Sequence, residues 1–401
     1  MFSYKEIGKR LREIRKQLGF SQADIAERLD MSRPTVSKIE NGKKKITSLE
    51  LSELADLYNK PFSYFIEEED RKEPVNCLLR AESLTQTEKE QLLEAGNLYR
   101  QYSQLESIVF GEVPLNLPQY KFSHTRSYGL SPVSEGEKIA KNERNRLGLN
   151  GAPVKDIFDL LEGENVKVLK VHFGSDSDLA GVFFFNEEKG PCIVVNIDQN
   201  LGRAKFSAAH EYGHLLRDQD LFPSHLTRFD SKEFNNGNAV HEIRANAFAA
   251  AFLMPEEGVN NFFEEAGMKK GDKVTPEDVI YSQKHFGVSY QAMLYRLQNL
   301  GWIGENDRKR LSSFSPSALA KSLGIQQEEK KDYRALPDRY LHLAIKAYEK
   351  EDINLGKLVE LLKPLKEFKR TEIINLLQEL DIEVRIGPES EDEILEEFEN
   401  A

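Results

Sequence analysis

The chain has 401 residues, of which 39% are hydrophobic, and a formal net charge of −12. That length predicts about two to four domains of ordinary size, and the negative balance excludes one large nucleic-acid surface. No apolar run reaches the roughly 18 residues that a membrane helix needs, and the first residues, MFSYKEIGKRLREIRK, carry no apolar core of a secretory leader, so a cytoplasmic protein without membrane contact is expected.

The charge is unevenly spread. Residues 1–66 hold 13 Lys+Arg against 9 Asp+Glu, while the remainder holds 42 against 58. A basic head on an acidic body assigns phosphate contact to the head alone. Cys77 and Cys192 are far apart and fit no metal spacing, so both read as reduced thiols.

In the head, apolar residues recur at helical spacing: Ile7, Leu11 and Ile14, then Ile25, Ala26 and Leu29, then Val36 and Ile39. SQAD at 21–24 has the form of a capping box and opens one helix. Asp30-Met31 makes a short turn, and Ser32 caps the next helix, with Arg33 and Pro34 in its first turn, where proline is tolerated. Two short helices joined by a tight turn predict a helix-turn-helix, the second helix entering the major groove of double-stranded DNA by its N-terminus. Arg33, Thr35, Ser37 and Lys38 are the candidate base and phosphate readers. Gln22 is placed to brace the backbone or a reader, and Lys43, Lys44 and Lys45 after Gly42 are placed for phosphates.

EEEDRKEP (67–74) reads as a linker, residues 84–110 as a helix, and EVPLNLPQYKF (112–122) as extended. EGEKIAKNERNRLGL (135–149) and VKDIFDLLEGE (154–164) read as helices. VKVLKVHF (166–173) opens strand character, and AGVFFF (180–185) and CIVVN (192–196) flank NEEKGP as a hairpin. Such a strand edge can pair with an extended peptide. Helical periodicity returns at 202–216 and in HEIRANAFAAAFLM (241–254), which Pro255 stops. VSYQAMLYRLQNL (288–300) and the patterns over about 315–385 are also helical, and the tail PESEDEILEEFENA (388–401) is acidic and predicted disordered.

HEYGH at 210–214 carries the chemistry. Positions i and i+4 share one helix face, so His210 and His214 present two imidazoles to one cation, and zinc (Zn2+) accepts such nitrogen ligands. Glu211, the next residue after the first imidazole, is the candidate general base. A catalytic zinc site needs a third protein ligand. The extended HExxHxxGxxH form is excluded, because Arg217 and Asp220 stand where it requires Gly and His. Glu242 is the best candidate, on a helix whose alanines (Ala245, Ala247, Ala249, Ala250, Ala251) permit close packing, with Gly213 favouring close approach from the other side. His241 is its rival, projecting about 100° away around the helix. His241 and His225 are also auxiliary candidates for stabilising an oxyanion, or else exposed polar residues.

Two resemblances rest on these motifs. SQADIAERL and SRPTVSKIENG in residues 5–66 resemble the Xre/Cro helix-turn-helix family. IVVN, KFSAAHEYGHLL, HEIRANAFAAAFLMP and VSYQAMLYRLQNLG resemble the ImmA/IrrE metallopeptidase family, and the whole resembles long Xre–ImmA/IrrE fusions to about residue 362. The resemblance implies an α+β, mostly helical protein: an all-α helix-turn-helix at 1–66, a helical linker region at 67–122, a zincin-like α+β domain with a small sheet at 123–310, a C-terminal helical domain at 311–387 and an acidic tail at 388–401. It implies His210, His214 and Glu242 as zinc ligands and Glu211 as base, and a regulator that cleaves a repressor or partner protein in a stress response or a phage or mobile-element switch. The alternative is a non-catalytic repressor, or an antitoxin with a toxin partner, whose metallopeptidase-like domain binds a partner. A homodimer is expected, since one helix-turn-helix reads one half-site.

Overall fold

The structure is a computed structural model of the full chain. It describes residues 4–29, 31–58, 65, 84–111, 117–121, 131–174, 176–219, 224–228, 239–325, 336–362 and 370–384. The predicted linker at 67–74, most of 112–122 and the acidic tail lie outside the described residues. The chain divides into two compact units, residues 1–97 with 116–331, and residues 98–115 with 332–401. No described helix is long and apolar enough to cross a membrane.

The first unit opens with α1 (Tyr4–Gln17), α2 (Gln22–Arg28), α3 (Arg33–Glu40) and α4 (Ser48–Leu57). The predicted caps are in place. Ser21 and Asp24 exchange side-chain and backbone bonds as a capping box at α2, and Ser32 accepts from the Thr35 amide at α3. Ile14, Ile25, Val36 and Ile39 close the core of this helical unit.

α5 (Gln86–Phe110) begins in the first unit, followed by α6 (Pro132–Arg146) and α7 (Ile157–Gly163). The sheet comes next: β1 (Lys167–Val171), β2 (Leu179–Asn186), β3 (Gly190–Asn196) and, later in the chain, β4 (Ser224–Arg228), in the order β1-β3-β2-β4. The hairpin read from AGVFFF and CIVVN is present as antiparallel β2 and β3, with Phe183 opposite Ile193. β1 joins β3 in parallel, and β4 adds antiparallel to the other edge of β2. β3 is buried along its whole length and β2 over its first six residues, as strands covered on both faces are.

α8 (Leu201–Arg217) packs on β2 and β3, and α9 (Ala239–Leu253) is held between α8 and α6. Two glycines set the spacing. A Cβ at Gly136 of α6 would lie 2.3 Å from the Arg244 carbonyl oxygen of α9, and a Cβ at Gly213 of α8 would lie 2.8 Å from the Phe248 ring. Buried Arg144 of α6 donates to the carbonyls of Phe252, Ala152 and Asn150 and so ties down the end of α9. The unit continues with α10 (Glu256–Glu265), α11 (Pro276–Phe286), α12 (Tyr290–Asn299), α13 (Glu305–Ser312) and α14 (Pro316–Ser322).

The second unit is helical: the C-terminal part of α5 with α15 (Asp338–Glu349), α16 (Leu355–Leu362) and α17 (Arg370–Glu379). Tyr102 and Tyr340 meet edge to face at 5.4 Å, and the Tyr340 hydroxyl donates to the Leu361 carbonyl.

Candidate metal centre

α8 is capped by Asn200, whose side chain accepts from the Arg203 amide. One turn separates His210 from His214, and both are fully buried. Their Nε2 atoms lie 3.1 Å apart. Glu242 enters from the first turn of α9 with its side chain 23% exposed. Its Oε2 lies 3.3 Å from His210 Nε2 and its Oε1 3.3 Å from His214 Nε2. Among the described residues these three alone form a cluster of metal-binding type, with ligand atoms within 4.8 Å of one another.

Each imidazole is held from behind. His210 Nδ1 lies 3.0 Å from Asn246 Oδ1, one turn after Glu242 on α9. His214 Nδ1 lies 2.9 Å from Asp218 Oδ2, one turn further along α8. Acceptors behind Nδ1 put the proton there and turn the Nε2 lone pairs toward each other and toward a carboxylate. Three electron-rich atoms converging in a buried place repel unless positive charge sits among them, so the donor set fits a divalent cation with nitrogen and oxygen preference. Protons respond to the same field. Burial works to lower the His214 pKa, but the hydrogen bonds to Asp218 and Glu242 overturn it and raise it to about 9. Burial likewise works to raise the Glu242 pKa, and the two histidines hold it well below the usual carboxylate range.

Glu211 is fully buried beside the cluster. It lies against β2: a Cβ at Gly181 would come within 3.0 Å of Glu211 Oε1 and 3.1 Å of its Cγ. A side chain there would press on the carboxylate, which would have to give by a few tenths of an ångström. Two residues on, the Phe183 ring stacks on His214 with centroids 5.9 Å apart.

His241 does not join the cluster. Its Nδ1 lies 3.1 Å from Asp218 Oδ1 and 2.7 Å from Arg244 Nη2, on the far side of the His214 support. Arg244 also bonds Asp218 and reaches Glu135 of α6, which accepts from Arg217 as well. Burial works to raise the Asp218 pKa, but the His214 hydrogen bond and the nearby cations lower it, keeping it anionic. His225 lies on β4 in register with Phe183. No sequence motif marks Asn246, Asp218, Arg244 or Glu135. The available signal was spacing, since Asp218 follows His214 and Asn246 follows Glu242 by four residues.

In the head, Arg33 and Lys38 are exposed on α3, and Thr35 and Ser37 are half-buried beside them. The Thr35 hydroxyl lies 2.9 Å from that of Ser32. Gln22 donates through Nε2 to Glu40, which also receives the buried Arg15 guanidinium, so it braces α2 against the end of α3. Lys44 pairs with Glu50 at 2.7 Å, Lys45 lies over the Tyr4 ring, and Lys43 is exposed.

A capped helix-turn-helix and a His-His-Glu cluster on two packed helices beside a small sheet define the class: a DNA-binding regulator with a metallopeptidase-family domain. Residues 163–298 match the family described as the IrrE N-terminal-like domain (peptidase M78), a stretch that includes all four strands and the cluster. Residues 11–65 match the helix-turn-helix family. The two matches together support an Xre-type helix-turn-helix fused to an ImmA/IrrE domain. No curated protein matches it.

Proposed function

We propose that this regulator is a zinc-dependent endopeptidase that acts on a protein, a repressor being the substrate its domain pairing suggests. His210, His214 and Glu242 would hold the zinc. A bound zinc polarises a peptide carbonyl and brings the pKa of a water molecule to about 7. Glu211 supplies the base: its carboxylate accepts a proton as water adds to the carbonyl carbon and returns it to the leaving amide nitrogen. Asn246 and Asp218 keep the imidazoles in one tautomer, and Phe183 shields His214 from solvent. The head would bind an operator through Arg33, Thr35, Ser37 and Lys38, with Lys43 on phosphate, two copies of the chain reading two half-sites.

The observation that carries this reading is the convergence of two Nε2 atoms and one carboxylate from separate helices, with Glu211 seated beside them. The test compares zinc-loaded wild type with Glu211→Gln on candidate repressors. Wild type is expected to cut, and Glu211→Gln to bind the same zinc and lose at least about 100-fold in rate, within the usual range for a general base. Equal zinc in both and cutting by neither would leave a non-catalytic regulator whose body binds a partner.

A further inference from the structure

β2 is the strand that lies against the candidate catalytic residues. Gly181 borders Glu211 and Phe183 stacks on His214. An extended peptide adds to a sheet by main-chain hydrogen bonds to a strand edge, with neighbouring strands about 4.8 Å apart. The edge that would bring a peptide carbonyl to the cluster is therefore the outer edge of β2. In this chain that edge is filled. β4, Ser224–Arg228, runs antiparallel along it, with Thr227 opposite Gly181, Leu226 opposite Val182 and His225 opposite Phe183. His225 and Thr227 thus stand in register with the two β2 residues that border His214 and Glu211.

β4 is also a short edge strand. It has five residues and pairs with β2 alone, at the end of the sheet order. Its ladder is interrupted by a bulge, since Leu179 pairs with Arg228 and Gly181 with Thr227, which leaves Ala180 over. Bulges beside active sites commonly limit or redirect pairing. β4 lies in the chain between α8 and α9, the helices that carry His210, His214 and Glu242.

We propose that β4 is an internal occupant of the peptide-docking edge, and that an extended segment of a protein substrate gains the cluster by displacing β4 from β2. The inference rests on the peptidase reading. If peptide paired instead with the outer edge of β4, it would lie two strand spacings, about 10 Å, from β2, and so away from the residues that touch Glu211 and His214.

The test uses the full chain loaded with zinc and an unfolded casein as probe. Successive N–H groups of a strand point to opposite edges, so of Leu226→Pro and Thr227→Pro only one removes a bond to β2, and the other faces outward, where proline is tolerated. One of the two is expected to raise the initial rate of casein cleavage about ten-fold or more, with faster amide exchange in residues 181–184 and unchanged protection in β1 and β3. The other is expected to stay near wild type. As a second measurement, Val182→Cys with Leu226→Cys places a disulfide across a register pair, and its oxidised form is expected to cleave at least ten-fold more slowly than the same protein reduced. Proline variants that both cleave at or below the wild-type rate, or a disulfide without effect, would overturn the proposal and make β4 the docking strand. No cleavage by any form, with zinc content intact, would overturn the peptidase reading itself and this inference with it.

Discussion

Asn246 and Glu242 stand one helical turn apart on α9 and address the two nitrogens of the same ring: Glu242 Oε2 lies 3.3 Å from His210 Nε2, and Asn246 Oδ1 lies 3.0 Å from its Nδ1. His214 has the carboxylate of Asp218 in the same position, shared with Arg244 and His241. Partners of this kind raise ligand basicity and fix ring orientation, and losing one typically costs 10–100-fold in metal affinity. Asn246→Leu is therefore expected to weaken zinc binding by about 10–100-fold in competition with a chelator, while Asn246→Asp, which keeps an acceptor oxygen, stays near wild type. Equal affinity in the leucine variant would show that Asn246 does not orient His210. His210, His214 and Glu242 were legible in the sequence because a 3.6-residue repeat aligns i and i+4 and because small residues marked the partner helix. The 100° between adjacent helix positions separates Glu242, which faces the cluster, from His241, which faces Asp218. Asp218 and Asn246 were not legible. An acid after a histidine and an asparagine after a glutamate are ordinary surface patterns until the crossing of α8 and α9 is known.

The crossing of α6, α8 and α9 depends on the absence of two side chains. Gly→Ala within a helix gains about 1 kcal/mol of propensity, whereas overpacking a core costs about 1–3 kcal/mol. At Gly213 the added Cβ meets Phe248 Cδ1 at 2.8 Å and its Cγ at 3.2 Å, and that ring is buried against Tyr212 and Phe252, so it yields only with its neighbours and the gain in propensity offsets part of the cost. At Gly136 it meets the Arg244 carbonyl oxygen at 2.3 Å and the Phe248 amide nitrogen at 2.9 Å, and backbone cannot turn aside. Gly136→Ala is thus expected to lower stability by about 1–3 kcal/mol and to reduce zinc uptake, because α9 must move and Glu242 moves with it. Gly213→Ala is expected to lower stability by less than Gly136→Ala does, because it presses on a side chain rather than on backbone. Thermal unfolding with metal analysis decides it, and equal effects at the two positions would show that the crossing is not set at Gly136. The sheet is unevenly legible in the sequence. The β2–β3 hairpin announced itself by two apolar runs around a short connection. β4, sequence SHLTR, holds one large apolar residue and too little strand propensity to be seen, and its pairing comes from β2.

Across the whole molecule, charge separates two tasks. Residues 1–66 carry an excess of four basic residues inside a chain of net −12, so an acidic body repels phosphate and leaves the head to meet it. On α3, Arg33 and Lys38 are exposed, whereas Gln22 is committed to Glu40 and Lys44 to Glu50. The contribution to DNA affinity is accordingly expected to concentrate on Arg33 and Lys38. A base-edge arginine is worth about 1–3 kcal/mol, and each phosphate contact adds about 0.9 to the slope of log affinity against log salt. Arg33→Ala with Lys38→Ala is expected to weaken operator binding by at least about ten-fold and to lower that slope by about 1 to 2. Zinc content should not change, since neither residue belongs to the elements that carry the cluster. Lys44→Ala releases a pair that already neutralises its charge and should move the slope by less than one contact's worth, about 0.9. Binding measured at several salt concentrations on one operator separates these effects. An unchanged slope in the double variant would remove α3 as the phosphate-facing helix, and a larger loss from Lys44→Ala would place the contact on the segment after Gly42 instead.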